Sequence, residues 1–173
     1  MSTRRGWMWG ALVMMGGLAW VGASWLTDAP ATPDDAVNRV WLERLPKSQR
    51  DIIGHFVMID HEGQRYGATG RSSRWRHDVE VFKWALEEDR LVQVFPQTRT
   101  KVKSTVEAGR CEAPRPFDMC LELRSSAGTK KFFSRHDWVI EPGSDERDWA
   151  EDHPELVDHV VIPNARDGAP EDD

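Results

Sequence analysis

The sequence lacks the short motifs by which many enzymes are recognised. It has no glycine-rich phosphate loop, no Gly-x-Ser-x-Gly elbow and no recognisable pair of glycosidase carboxylates. His77 and Asp78 follow two serines, Ser72 and Ser73. Because neighbours on a strand point to opposite faces, no hydrolytic triad is expected from them. These absences favour a noncatalytic protein, and an enzyme whose site assembles only in three dimensions is the alternative.

Charge is also missing near the N-terminus, where residues 6–26 contain none and follow Arg4 and Arg5. This stretch is longer than the core of an ordinary signal peptide and approaches the ~20 residues that span a bilayer. Residues 1–31 are therefore predicted to be a cleaved signal peptide or a membrane anchor through residues 7–26. Since basic flanks stay in the cytoplasm, the body would face the periplasm from the inner membrane, or be soluble in the periplasm or outside the cell.

Cysteine is scarce, and none lies near the end of the hydrophobic segment, which argues against a lipid-anchored lipoprotein. The two that occur are Cys111 and Cys120, and in an oxidising compartment such a pair predicts a disulfide. Two prolines between them fit a long hairpin loop. A redox role would favour the tighter Cys-x-x-Cys spacing, so a structural bond is expected.

Acidic residues are unevenly distributed along the chain. Residues 39–140 carry 19 basic and 14 acidic side chains, whereas residues 141–173 carry 2 basic and 12 acidic ones. An exported protein rarely meets nucleic acid, so none is expected as a partner. The basic body indicates an anionic lipid or another anionic envelope ligand, or contact with the acidic tail itself. No cofactor is predicted. No metal site is predicted either, because the adjacent His136 and Asp137 would point to opposite faces of a strand, while His153 and His159 lie in the acidic tail.

Hydrophobic periodicity predicts a mainly β fold. Between Pro33 and Pro46, apolar residues recur every three or four positions and predict one short amphipathic helix. Beyond position 50 the period approaches two, and no stretch looks helical enough for a parallel crossover. Seven strands are predicted, at residues 52–60, 65–74, 75–86, 91–95, 99–106, 117–124 and 129–138. The expected architecture is a small antiparallel barrel or strongly curled meander, with a flat sheet backed by the helix as the alternative.

Alternation along these strands also predicts the inward-facing side chains. The expected core comprises Phe56, Met58, Tyr66, Phe82, Trp84, Leu86, Val92, Val94, Val102, Val106, Met119, Leu121, Leu123 and Phe133. Three further tryptophans, Trp41, Trp75 and Trp138, are expected in the core or at the rim of a pocket.

Two basic runs suggest a ligand-binding surface. Arg99, Lys101 and Lys103 alternate along one predicted strand, and a second group contains Arg71, Arg74 and Arg76. If the two strands adjoin, these side chains form a patch for phosphate or carboxylate groups. Trp75 and Trp84 are candidate contacts for the apolar part of such a ligand. The alternative is a solvated strand face whose charges discourage edge pairing.

The chain resembles the small bacterial lipocalin-like domains. The resemblance covers about residues 37–138 and rests on a tryptophan-bearing helix, the strand Ile53-Gly54-His55-Phe56-Val57, an acidic-glycine turn and short hairpins. It implies an exported, calycin-type barrel that binds a hydrophobic ligand or a partner protein without catalysis. Gly54 is followed by His55 and Phe56 instead of the lipocalin glycine-x-tryptophan signature, so no binding residue is carried over from the family.

The organisation expected is an N-terminal segment at residues 1–31, a β domain at residues 34–140 and an acidic tail at residues 141–173. The tail contains apolar residues among its acids, and a proline at position 154 indicates a helix start there. It is expected to dock partly on the barrel, to be disordered from about residue 163, and to be the surface through which an inhibitory protein would bind a partner.

Overall fold

The computed structural model describes residues 33–88, 90–143 and 146–163 of the chain. A 3₁₀ turn, Pro33–Ala36, is followed by eight strands and one short helix, α1, at Glu146–Asp152. The strands are β1 Arg39–Leu42, β2 Ile53–His61, β3 Gln64–Ser73, β4 Arg76–Glu87, β5 Arg90–Phe95, β6 Thr100–Arg110, β7 Met119–Ser125 and β8 Gly128–Ser134.

The strands form a closed antiparallel barrel in which each strand pairs with its neighbours in sequence. The circle closes where Leu42 of β1 pairs with Phe133 of β8. Because the connections alternate between the two ends, residues 43–52, 74–75, 96–99 and 126–127 lie at one end and the other connections at the opposite end. The predicted mainly β antiparallel barrel is confirmed.

All seven predicted strands are present, but the predicted helix between Pro33 and Pro46 is wrong. That segment forms the 3₁₀ turn and then β1, with Asn38 at φ 53° between them. Val40 and Leu42 of β1 pack outside the barrel, whereas Trp41 packs inside. A strand buried on both faces loses its period of two, so its apolar residues can imitate a helical repeat.

The barrel interior holds the first of two apolar clusters. It includes the predicted core residues Phe56, Met58, Phe82, Trp84 and Leu121. The 3₁₀ turn lies across one end, where Ala36 and Val37 join the cluster and the Trp41 indole N–H donates to the Ala36 carbonyl at 3.0 Å. We call this the closed end and the opposite one the open end.

The prediction of which β5 side chains point into the barrel is wrong by one position. Its interior side chains are Leu91 and Phe95, whereas Val94 is 42% exposed on the outer surface. On β8, Phe132 lies inside while the predicted Phe133 packs outside. Leu86 is also exposed, because it lies near the end of β4.

The second apolar cluster lies on the outer face of the barrel. It contains Val40, Leu42, Ile53, Val57 and Ile59 from β1 and β2, covered by residues that follow β8: Trp138, Ile140, Trp149, Leu156, Val160 and Ile162. We call residues 138–143 and 146–163 the C-terminal segment. Burial of this face explains why β2 is apolar at nearly every position.

Helix α1 belongs to this segment and ends at Asp152, whereas the sequence predicted a helix beginning near Pro154. Residues 154–159 form turns instead, and the Leu156 amide donates to the His153 carbonyl at 3.0 Å. Trp149 in the middle of α1 packs against His153 with tilted rings, whose centroids are 4.6 Å apart. Apolar packing of Trp149 and Leu156 fixes the segment more than helical hydrogen bonding does.

Cys111 and Cys120 form a disulfide with 5.8 Å between their Cα atoms, as the sequence predicts. The bond joins Cys111, the residue that follows β6, to Cys120 in β7 at the closed end. The Cys111 amide also donates to the Asp118 carbonyl there. The described residues contain no helix long and apolar enough to cross a membrane. The predicted signal or anchor at residues 1–31 and the end of the tail lie outside the described residues.

Replacing both cysteines with serine is expected to lower the free energy of unfolding by about 2 to 3 kcal/mol, since the bond closes a short loop in the unfolded chain. Urea denaturation of the variant and of the wild type, each with and without reductant, measures the effect. Reductant should destabilise only the wild type. An equal effect of reductant on both proteins would contradict the assignment of this stability to the bond.

His55 makes folding sensitive to acid. It lies on β2 beneath the C-terminal segment, is completely buried, and neither ring nitrogen has a hydrogen-bond partner in the described part of the chain. Burial, and secondarily the charge of His77, lower the pKa of His55 from 6.5 to about 4. Between about pH 4 and pH 6.5, His55 is therefore protonated in the unfolded chain and neutral in the folded chain.

Stability is accordingly expected to be complete above about pH 6.5 and to fall by about 3 kcal/mol as the pH drops to 4. His55→Leu should remove this part of the pH dependence while leaving stability at neutral pH unchanged or higher. Chemical denaturation across the same pH range tests this, with the exposed His136→Gln as control. Identical pH profiles for His55→Leu and the wild type would contradict the role of His55.

Candidate functional site

A cavity of about 260 Å³ opens into the barrel at its open end. Its floor is apolar and is built from side chains that point inward from β2, β5, β6, β7 and β8: Phe56, Phe95, Val102, Leu123 and Phe132. The Phe56 ring stacks on Phe132 with 5.7 Å between centroids, which makes this floor continuous with the interior cluster. The volume lies just below the range of about 300 to 1,000 Å³ found for drug-sized ligands, so it suits a small or slender one.

Polar side chains surround this floor. Gln93 is 5% exposed and lines the cavity from β5, and Ser104 faces it from β6. The Ser104 hydroxyl is buried and has no hydrogen-bond partner among the described residues. A buried hydroxyl is normally paired, so water or a bound polar group is expected beside it. Glu80 and Lys130 bring charge of each sign to the same lining.

A second cavity of about 440 Å³ opens through the side of the barrel wall. It lies where β1 has ended, between residues 129–132 of β8 and the facing residues Glu43, Gly54 and Arg71. Thr69, Lys130 and Phe132 line both cavities, so the two meet at Lys130. A ligand could therefore occupy the barrel interior and extend into this side opening.

The side opening carries more positive than negative charge. Arg71 lies 4.0 Å from the Glu43 carboxylate, which also accepts a hydrogen bond from the Gly54 amide at 3.3 Å. Lys130 has no ion-pair partner among the described residues, whereas the next residue, Lys131, lies 3.4 Å from Glu122 on the outer surface. Lys130 is thus an available cation at the junction of the two cavities.

The predicted basic patch is not formed as one surface. Strand β5 lies between β4 and β6, so the strand with Lys101 and Lys103 does not adjoin the group around Arg76. The ammonium groups of Lys101 and Lys103 lie 3.6 and 2.9 Å from the Glu87 carboxylate of β4. Their pairing lowers the pKa of Glu87 and agrees with the alternative of a solvated, charge-balanced face.

The other predicted basic residues lie at the open end. Arg99 is in the β5–β6 turn with φ 54°, and Arg76 begins β4 beside a shallow cavity shared with Arg71 and Asp78. The Arg74 guanidinium lies 4.0 Å from Asp158 of the C-terminal segment. Whether any of these residues binds a ligand stays a prediction.

The two predicted tryptophan contacts have different surroundings. Trp75 is 63% exposed in the β3–β4 turn, outside the core in which it was also predicted. Trp84 is buried, and its indole N–H donates to the carbonyls of Ile59 and Tyr66 at 3.1 and 3.0 Å. Trp84 does not line the cavity at the open end, and its role as a ligand contact stays a prediction.

Sequence reasoning missed the residues that give the cavity its chemistry: Gln93, Ser104 and Lys130. Gln93 lies between Leu91 and Phe95 on the inner face of β5, and a polar residue at an apolar period was its only signal. The described residues contain no group of three or more metal-ligating side chains. Ser72 and His77 are aligned across β3 and β4, yet the Ser72 hydroxyl makes no hydrogen bond to the imidazole. The cavity thus combines an apolar floor with polar and charged side chains around it.

The chain matches no protein-family model, no curated protein and no solved structure. The architecture itself, an eight-stranded antiparallel barrel with a cavity at one end, is consistent with a lipocalin-like fold.

Trp84→Phe is expected to lower the free energy of unfolding by about 1 to 3 kcal/mol, because two buried carbonyls lose their shared donor. Trp75→Phe, at an exposed turn, should change it by less than about 0.5 kcal/mol. Urea denaturation of both variants gives the comparison. A loss for Trp75→Phe that equals the loss for Trp84→Phe would contradict these assignments.

Proposed function

We propose that this protein is a noncatalytic, lipocalin-like carrier or sensor of a small amphiphile with an anionic head group. The observation that carries the proposal is the apolar cavity at the open end, which meets Lys130, a lysine with no ion-pair partner in the described part of the chain, at a side opening. The apolar part of the ligand lies on Phe56, Phe95 and Phe132. Its head group lies beside Lys130, with Ser104 and Gln93 as polar contacts below it.

Charge supports an anionic head group over a cationic one. Lys130 and Arg71 line the side opening, and Glu43 is already engaged by the Gly54 amide and the neighbouring Arg71. A carboxylate or phosphate can accept hydrogen bonds from both cations, which gives shorter and stronger bonds than neutral pairs. The small volume of the interior favours a single acyl chain or one ring over a two-chain lipid.

We also propose that the protein acts in the cell envelope of a bacterium, where residues 1–31 serve as an export signal or as a membrane anchor. The disulfide between Cys111 and Cys120 supports an oxidising compartment. Detection of residues 1–26 on the mature protein in the membrane fraction would establish the anchor. Mature protein that starts after Ala31 in the soluble envelope fraction would establish cleavage.

Binding of decanoate and decanol by the full chain tests the ligand proposal, since the two probes share a chain and differ in charge. Calorimetry is expected to show tighter binding of decanoate. Lys130→Gln should weaken decanoate binding about five- to tenfold and leave decanol binding unchanged, because the lysine contacts only the charged head. Leu123→Trp, which fills the floor of the cavity, should weaken both probes.

Lys83→Gln is the matched control, because Lys83 lies between the interior residues Phe82 and Trp84 of β4, faces outward and lines neither cavity. It should leave both affinities within twofold of the wild type. Failure of the wild type to bind either probe, or binding that Leu123→Trp does not reduce, would overturn the assignment of the cavity. Equal effects of Lys130→Gln and Lys83→Gln would overturn the anionic head group alone.

A further inference from the structure

The two ends of the barrel carry opposite charge. The described connections of the open end, residues 43–52, 74–75, 96–99 and 126–127, contain five basic and two acidic side chains. Those of the closed end, residues 33–38, 62–63, 88, 111–118 and 135–143, contain eight acidic and two basic ones. The connections therefore place an excess of basic side chains at the open end and of acidic ones at the closed end, although Asp158 of the C-terminal segment also reaches Arg74 at the open end.

An exposed indole lies at this positive end. Trp75 is 63% exposed at the tip of the β3–β4 turn, and the guanidinium carbons of Arg50 and Arg74 lie 5.8 and 5.6 Å from its ring centroid. Such cation–π contacts hold the two guanidinium groups around the ring without neutralising them. The next residue, Arg76, is the first residue of β4.

This surface is held in place by the loops beneath it. The Arg74 amide donates to the Gln49 carbonyl at 3.1 Å, which ties the β3–β4 turn to the β1–β2 connection. Within that connection Arg44 makes a bidentate ion pair with Asp51, and the Lys47 amide donates to the same carboxylate at 2.9 Å. The hydrogen bond from Arg44 lowers the pKa of Asp51, so this brace stays charged and intact. Trp75 and its arginines are thus held in place by ordered loops.

We propose that this surface, formed by Trp75 with Arg50, Arg74 and Arg76, docks the open end of the barrel on an anionic lipid bilayer. Arginines bind phosphate head groups, and tryptophan prefers the boundary between head groups and acyl chains. A soluble anionic polymer would satisfy the arginines but would offer no apolar layer for an indole exposed to this extent. The surface is separate from the cavity lining and does not depend on which ligand the cavity binds.

Dye fluorescence on the full chain tests the proposal. A nitrobenzoxadiazole group is attached through Thr98→Cys at the open end, or through Gln64→Cys at the closed end. Vesicles contain phosphatidylcholine alone or with one-third phosphatidylglycerol. The dye at position 98 is expected to shift to the blue with the anionic vesicles, whereas the dye at position 64 should not. Each dye reports contact by its own end, whatever holds the rest of the chain.

Arg50→Gln with Arg76→Gln is expected to raise the vesicle concentration needed for half of the shift about 25-fold, or about fivefold for each guanidinium removed. This pair leaves the contact between Arg74 and Asp158 intact. Arg110→Gln with Arg115→Gln removes the same net charge at the closed end and should change that concentration less than twofold. Trp75→Ala should weaken binding to anionic vesicles, and added salt should weaken it further.

Equal responses of the two dyes, or of the two arginine pairs, would overturn the proposal. So would an equal response to both kinds of vesicle. If heparin shifted the fluorescence of the dye at position 98 as strongly as anionic vesicles do, the surface would be assigned to soluble polyanions instead. The variant Asp167→Asn with Glu171→Gln and Asp172→Asn is measured without vesicles. A shift in the fluorescence of the dye at position 98 would identify the acidic tail as the occupant of this surface and exclude the bilayer.

Discussion

Strand β2 is buried on both faces, and this constraint organises the molecule. Phe56 and Met58 point into the barrel, while Ile53, Val57 and Ile59 point outward beneath the C-terminal segment. Burying apolar area on both sides stabilises by roughly 25 cal/mol for each Å² removed from water, so the outer layer is part of the folding unit. The same cover traps His55 away from water and makes its protonation costly.

Double-sided burial also marks the limit of what the sequence predicts. Alternation located seven strands because most have one apolar and one polar face, as β6 and β7 do. It failed for β1, where Val40, Trp41 and Leu42 are all buried, and it chose the wrong phenylalanine on β8. On β5 the apolar residues at positions 91, 92, 94 and 95 fit either facing, and only pairing with β4 decides between them.

The candidate site was less predictable than the fold because it depends on register. Lys130 and Lys131 are indistinguishable in sequence, yet pairing with β7 turns one inward and the other toward Glu122. The proposed basic patch required β6 to adjoin the strands around Arg76, and strand order is not encoded in any local pattern. The disulfide was predictable, because compartment and spacing alone limit two cysteines to one partner each.

Ligand binding and membrane docking would share one end of the barrel, while the acidic connections and the 3₁₀ turn occupy the other. The C-terminal segment reaches the same open end through the contact between Asp158 and Arg74. An amphiphile delivered from a bilayer would therefore enter without crossing the closed end, and the docking surface and the cavity entrance would act in sequence.

The closure of the barrel has a further consequence for selectivity. Strands β1 and β8 are joined by one aligned residue pair, Leu42 with Phe133, because β1 ends before the side opening begins. The wall has fewer main-chain hydrogen bonds there than between the other neighbouring strands, so it can widen at low cost. The phenylalanines of the floor are fixed by the interior cluster and cannot yield in the same way. An amphiphile bound as proposed would thus be selected by the length and branching of its apolar chain more than by the bulk of its head group.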